Sequence, residues 1–417
     1  MSSNKFLNFW KKLGPGLITG SSDDDPSGIA TYSQAGAGFG FSTLWTALLT
    51  FPLMAAVQEM CARLGLVTAE GLTGTLKKYY PRYVLLLMLL FSFPAIVLNI
   101  GADIAGMGAV GNLIFPRIPA SFFSVTFTVC LLIAIIYLPY RKIANTLKYL
   151  CMGLLVYLVV PFMIKQNWSE VLKHTFIPTV QWNKGYLSII VGILGTTISP
   201  YLFFWQTNME VEEVKSAGHT VMVDKRLIGE TRRDVNFGMF FSNLVMYFII
   251  LTSGSVLFKN GIHEIQTVED AAKALQPLTG NFTYYLFAIG IIGTGLLAIP
   301  VLSGSLSYVF CETFGWEEGL DKKFHEARPF YIIIATSLIL GLLLNYIGVK
   351  PIQALIYAAI LYGLTAPVLI AIILHVCNNR KIMGEFVNRK RSNILGIITL
   401  VLMTFAGVAL MYFQFFT

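Results

Sequence analysis

Charge is the scarcest feature of this chain. Of 417 residues only 12% are Asp, Glu, Lys or Arg, while 55% are hydrophobic. An ordinary soluble domain carries about 25% charged residues, and the mean hydropathy of +0.68 belongs to a polytopic membrane protein. Cysteine is also sparse. Cys61, Cys130, Cys151, Cys311 and Cys377 are odd in number and form no Cys-x-x-Cys, which excludes a disulfide framework and a zinc ribbon. The five histidines show no His-Glu-x-x-His, so a zinc hydrolase is disfavoured. No low-complexity run and no separate soluble domain is visible. The net charge of +8 comes without a basic patch interleaved with aromatics, so nucleic acid is not an expected partner.

Long apolar runs are abundant. Eleven segments approach the ~20 residues that a helical span needs: 13–39, 43–66, 84–107, 120–138, 146–164, 187–206, 235–257, 284–309, 330–347, 352–376 and 394–416. With the N-terminus inside, 23 of the 30 Lys and Arg fall in inside segments and seven outside, as the positive-inside rule requires. The C-terminus then lies outside. The first apolar segment lacks a small-residue cleavage site and is read as a span, not a leader. Residues 210–234 read as a polar inside loop with a helical start at 210–215, and 268–275 as a short helix in an outer loop.

Against this background one stretch stands out. Asp23-Asp24-Asp25-Pro26-Ser27-Gly28 interrupts the first span. A carboxylate at membrane depth is costly and normally faces a site or a pathway. Pro and Gly beside it break the helix. The sixth span is broken too, at Thr196-Thr197-Ile198-Ser199-Pro200-Tyr201. Paired interruptions in corresponding positions of two halves point to a transporter site built on inverted repeats. Freed backbone carbonyls, hydroxyls and the Asp25 carboxylate make a hard, oxygen-rich cation site. Three carboxylates would repel the carboxylate of an amino acid, which favours a divalent cation over an ion-coupled carrier of organic solutes, the alternative on the same fold. An intramembrane hydrolase with paired aspartates would need a Gly-x-Gly-Asp setting, which is missing.

At these residues the chain resembles the Nramp family of divalent-metal transporters, which carries Asp-Pro-Gly-Asn in its first broken helix and Met-Pro-His in its sixth. Gly14-Pro15-Gly16, Gln58, Arg63-Leu64-Gly65, Asp103 and Asn243 add to the resemblance. It implies an all-α membrane protein of 11 transmembrane helices. These would form a LeuT-type 5+5 inverted repeat with broken helices 1 and 6 (residues 1–164 and 165–376), and one extra helix in 377–417. The departures are specific. Gly28 stands for the family's Asn, Ser199 for its Met, Tyr201 for its His, Gly106 for an acidic residue and Ala359 for a Gln. Together with Asn99-Ile100-Gly101-Ala102-Asp103 they resemble the Nramp-related magnesium transporter branch, which implies weak or absent proton coupling. Losing a thioether removes the preference for softer ions, and the smaller residues would leave room for an ion that keeps its waters. A proton-coupled Mn²⁺/Fe²⁺ carrier of the main family type is the remaining alternative.

The expected metal residues are Asp25, Gly28, Thr196 and Ser199. Asp23, Asp24, Thr197, Tyr201, Asn243 and Asp103 are expected to line the vestibule or to touch the ion's own waters. Asp23 and Asp24 are placed off the ion because three adjacent side chains cannot point at one centre. Asp103 is open between a structural hydrogen bond and a role in transport, and Asn243 between a helix–helix bond and an outer contact. Glu59 is expected to pair with Arg63. Gly16-x-x-x-Gly20 and Gly36-x-x-x-Gly40 are expected to pack helices within the chain. No cofactor is expected; the metal is cargo. The partners are a divalent metal ion and the lipid bilayer, in a bacterial plasma membrane, with the protein monomeric.

Overall fold

The computed structural model describes residues 15–138, 156–216, 223–279 and 283–416, and among these every regular element is a helix. The first span is two helices, α1 (Pro15–Asp23) and α2 (Pro26–Phe39). There follow α3 (Trp45–Thr68), α4 (Leu72–Tyr79), α5 (Arg82–Ile114), α6 (Ala120–Tyr137), α7 (Val156–Met163) and α8 (Trp168–Phe176). The sixth span is again a pair, α9 (Lys184–Thr197) and α10 (Pro200–Ser216). Then come α11 (Lys225–Val256), α12 (Val268–Ala272), α13 (Gln276–Thr279), α14 (Thr283–Phe314), α15 (Arg328–Leu344), α16 (Pro351–Asn378), α17 (Arg380–Met383) and α18 (Lys390–Phe416). Eight stretches among the described residues are long and apolar enough to cross a membrane, with α9 and α10 taken as one; α15 is shorter. The expected fifth span, 146–164, lies mostly outside the described residues, which include its end as α7.

Two expectations from the sequence change. Residues 210–234 are less of a loop than their charge suggests. Helix α10 runs to Ser216, and α11 starts at Lys225, with the Asp224 side chain accepting from the Leu227 amide as its cap. An exposed Arg226–Glu230 pair at i,i+4 supports that first turn. The third span continues past its expected end at 107 to Ile114. The outer-loop helix forms as α12, closed by a capping box between Thr267 and Asp270.

The breaks arise locally. Pro26 lacks the N–H that an unbroken helix would need there, yet suits the first position of α2. Asp25 is extended (φ −70°, ψ 172°) and caps that helix. Helix α11 lies along both halves of the first span, and the small-residue stripes make this possible. A Cβ on Gly20 would stand 2.3 Å from the Gly238 carbonyl oxygen, and one on Gly36 2.4 Å from that of Ile250. Both stripes therefore pack within the chain.

A buried charge cluster ties three elements together at one end of the bundle. Glu59 accepts from Arg63 Nε at 3.1 Å and from Arg232 Nη2 at 2.8 Å. Arg63 also donates to the Phe386 carbonyl at 2.5 Å and to Asn388 Oδ1 at 2.6 Å. So Glu59 joins α3 to α11, and its partner Arg63 carries the tie on to the segment leading to α18. Glu59→Ala leaves Arg63 buried without its counter-ion and is expected to cost about 3–5 kcal/mol, seen as an earlier thermal midpoint. Glu230→Ala breaks the exposed pair with Arg226 and should cost under about 1 kcal/mol. Equal midpoints for the two variants would count against the cluster as a structural tie.

Candidate metal site at the paired helix breaks

Each break is two residues long, Asp24-Asp25 and Ile198-Ser199. The C-terminal ends of α1 and α9 meet there with the N-terminal ends of α2 and α10. Helix C-termini present unpaired carbonyls and attract cations; N-termini attract anions. The acidic triplet is divided by this geometry. Asp25 sits at the N-cap of α2, where a carboxylate is favoured. Asp23 and Asp24 sit at the C-terminal end of α1, where helix electrostatics oppose negative charge. Helix stability therefore explains Asp25 and leaves Asp23 and Asp24 to another cause.

The Asp25 carboxylate is held on both oxygens. Oδ1 accepts from the Gly28 amide at 2.7 Å and the Ser27 hydroxyl at 2.8 Å. Oδ2 accepts from Asn99 Nδ2 on α5 at 2.8 Å. Asp23 Oδ2 accepts from the Ser242 hydroxyl on α11 at 2.6 Å, and Asp24 Oδ1 lies 3.4 Å from the same hydroxyl. One hydroxyl has one proton, so two carboxylates compete for it. Asp23, Asp24, Asp25 and Asp103 are each at most 2% exposed. In this conformation Asp23 and Asp24 thus line no open vestibule, and an ion would reach them only if the helices part.

The second break faces the first. A Cβ on Gly28 would stand 3.2 Å from Thr196 Oγ1 and 3.3 Å from Cε2 of Tyr32. Thr196 is therefore beside Gly28, and the space expected from a missing side chain is partly filled by Thr196 and Tyr32. Gly28 meets the site as a donor, through its amide to Asp25. The Ser199 hydroxyl donates back to the Thr196 carbonyl at 2.5 Å, with the Gly195 carbonyl at 3.2 Å, and so closes the end of α9. Its lone pairs remain to accept. Thr197 donates to the Ile193 carbonyl at 2.6 Å and is met by the Tyr32 hydroxyl at 3.3 Å. Tyr201 spans the breaks, donating to the Ser22 carbonyl at 2.9 Å. Its ring lies 5.7 Å from that of Tyr362 on α16. Ala359, where the family resemblance leads one to expect a Gln, packs its carbonyl against Gly195. A Cβ on Gly106 would stand 3.3 Å from Leu355 and 3.8 Å from Pro26, so that position borders the break and is closed by an apolar side chain.

Asn243 is not brought to the carboxylates. Its Oδ1 accepts from Thr50 at 2.7 Å, and its Nδ2 donates to Met54 Sδ and to the Met239 carbonyl, each at 3.0 Å. It joins α11 to α3. The polar residue of α11 that does reach the triplet is its neighbour Ser242. Asn99 was missed as a site residue, although it lies four residues before Asp103 and therefore on the same helix face. Tyr362 was missed as well, since nothing in its local sequence separates it from a packed aromatic.

The architecture is that of membrane transporters built on two interrupted helices, the LeuT-type fold, and comparisons with known proteins agree. The family model described as "Natural resistance-associated macrophage protein-like", Nramp, matches residues 16–413, and the chain belongs to this family. A divalent metal cation transporter, MntH, from Caldanaerobacter subterraneus subsp. tengcongensis is 25% identical over 397 residues, covering 94% of this chain and 90% of the relative. Among solved structures, the Eremococcus coleocola manganese transporter in complex with an aromatic bis-isothiourea substituted compound superposes with a TM-score of 0.77 at 19% identity, covering 97% of this chain and 87% of that one. MhsT in complex with L-phenylalanine superposes more loosely, at 0.54 and 14% identity, covering 96% and 97%.

Proposed function

We propose that this protein carries divalent cations, Mg²⁺ and with it Mn²⁺, across the membrane by alternating access, with weak or no proton coupling. The observation that carries this reading is the pre-oriented Asp25 carboxylate at the junction of two broken helices. Its partners are one amide, one hydroxyl and one carboxamide. Ser199, Thr196 and the carbonyls near the α1 and α9 ends supply further hard oxygen donors, which suit Mg²⁺ and Mn²⁺ over softer ions. A bound cation would relieve the competition of Asp23 and Asp24 for one hydroxyl. Membership of the Nramp family and the names of the relatives support metal as cargo.

The finer parts of the reading rest on sequence. Ser199 in place of Met favours Mg²⁺ among the divalent ions. Tyr201, whose hydroxyl is engaged with a backbone carbonyl, and Gly106 remove the groups a proton route would use. The two repeats are 1–164 and 165–376 with 377–417 appended, and the protein acts as a monomer with its N-terminus inside and its C-terminus outside. A Mn²⁺-preferring, proton-coupled carrier is the second reading, favoured by the names of the relatives.

The test is one proteoliposome assay with Mg²⁺, Mn²⁺ and Ca²⁺ in competition and a pH-sensitive dye inside. Saturable Mg²⁺ uptake, inhibited by Mn²⁺ and without internal acidification, is the expected result. Acidification on Mg²⁺ addition would remove the uncoupled reading. Mn²⁺ uptake that ignores excess Mg²⁺ would replace it with the second.

A further inference from the structure

We infer that α5 provides a second seat at this site, made by Asn99 and Asp103, which binds the water shell of the transported ion and not the ion itself. The inference rests on the magnesium reading above. Asn99 and Asp103 are one turn apart on α5, and both are fully buried. Asn99 turns its Nδ2 to the Asp25 carboxylate. Its Oδ1 has no hydrogen-bond partner among the described residues, and neither has either carboxylate oxygen of Asp103. The Ser27 amide faces Asp103 without completing a bond. Asp23 Oδ1 and the Tyr362 hydroxyl are likewise unpaired. Tyr201 meets the Ser22 carbonyl beside Asp23, the Tyr362 ring lies 5.7 Å from that of Tyr201, and Asn99 ties α5 to Asp25, so these groups belong to one neighbourhood.

The chemistry of the unpaired atoms is one-sided. With the carboxylates ionised, all but the Tyr362 hydroxyl are pure acceptors. A buried acceptor left alone costs about 1–3 kcal/mol, and more if charged, so a concentration of them implies a guest that is cationic, donor-rich or both. A bare cation offers no hydrogen-bond donors. An octahedral cation that keeps its waters offers about twelve outward O–H groups. Such an ion can bind Asp25 on one side and present its waters to Asn99 Oδ1 and Asp103 on the other. Mg²⁺ gives up water reluctantly, and its binding should therefore depend on this seat. An ion bound more directly to Asp25 and Ser199 should depend on it less.

Two measurements on the full chain in proteoliposomes test this. Hexaamminecobalt(III) has an exchange-inert octahedral shell of N–H donors, so its metal cannot be ligated by Asp25. It is expected to compete with Mg²⁺, and to do so at least about tenfold better than spermidine, a trivalent cation without that shell, the difference of one charge-assisted hydrogen bond. Asp103→Asn keeps the side-chain shape and leaves the three donors on Asp25 untouched. It is expected to raise half-saturation for Mg²⁺ about tenfold and for Mn²⁺ under about threefold. Hexaamminecobalt(III) that competes no better than spermidine overturns the seat. So does an Asp103→Asn variant in which both ions weaken equally or neither changes, as a general charge effect or a neutral packed acid would give. Failure of the magnesium reading shows separately, as wild-type protein that takes up Mn²⁺ and not Mg²⁺.

Discussion

Asp25→Ala is expected to abolish saturable Mg²⁺ and Mn²⁺ uptake in proteoliposomes. Asp25 is the one carboxylate of the triplet whose position is fixed from two helices, by Gly28 and Ser27 on α2 and by Asn99 on α5. A divalent ion at about 4 Å from one carboxylate gains roughly 8 kcal/mol at an effective dielectric near 20. Even after the desolvation of both partners takes back half of this, affinity should fall about a thousandfold. Ala also removes the cap of α2, worth about 0.5–2 kcal/mol, so loss of uptake alone would be ambiguous. Asp25→Asn resolves it. Asn caps helices as well as Asp does and keeps the side-chain shape, so its thermal midpoint should stay near wild type while uptake is lost. Uptake retained in Asp25→Asn would mean that the ion is held by other groups, and the proposed function would need a different site.

The breaks were legible because they violate local rules in the open. Three carboxylates, a Pro and a Gly cannot continue an apolar helix, and Ser199-Pro200 repeats the offence at the corresponding place. The facing of side chains was not legible. Successive helical residues differ by about 100° in direction, so Ser242 and Asn243 look equivalent in an apolar stretch, yet only Ser242 turns to the triplet. Asn243 is the larger polar group and drew the expectation; its amide is spent on α3 and on its own helix. The start of α11 was hidden for another reason. Residues 225–234 are so charged that they read as loop, whereas a capping Asp224 and the Arg226–Glu230 spacing were helix signals that outweigh polarity. Asn99 was recoverable from its four-residue spacing to Asp103. Gly28 shows the limit of reasoning from residue size, because the room left by a missing side chain is partly taken by Thr196 and Tyr32 from other turns of the structure.

Ser199→Met should convert selectivity, and its effect can be separated from its structural cost. Ser199 is buried, and its hydroxyl closes the end of α9 by donating to the Thr196 and Gly195 carbonyls. Met removes that donor, adds bulk in a packed place at a cost of about 1–3 kcal/mol, and brings a thioether to the break. A thioether is a soft donor and no ligand for Mg²⁺. Half-saturation for Mg²⁺ should therefore rise at least about tenfold, while uptake of a soft ion such as Cd²⁺ should appear. Ser199→Ala shares the lost cap and lacks the sulfur, so it should weaken Mg²⁺ uptake modestly and gain no Cd²⁺ uptake. The ratio of the two ions in the two variants is the informative quantity, since a general loosening of α9 would move both ions alike. If Ser199→Ala admits Cd²⁺ as readily as Ser199→Met, the residue limits access by size and its oxygen does not choose the ion. If neither variant admits it, the choice lies with the carboxylates and with the α5 seat behind them, where an ion must arrive with its waters to be held.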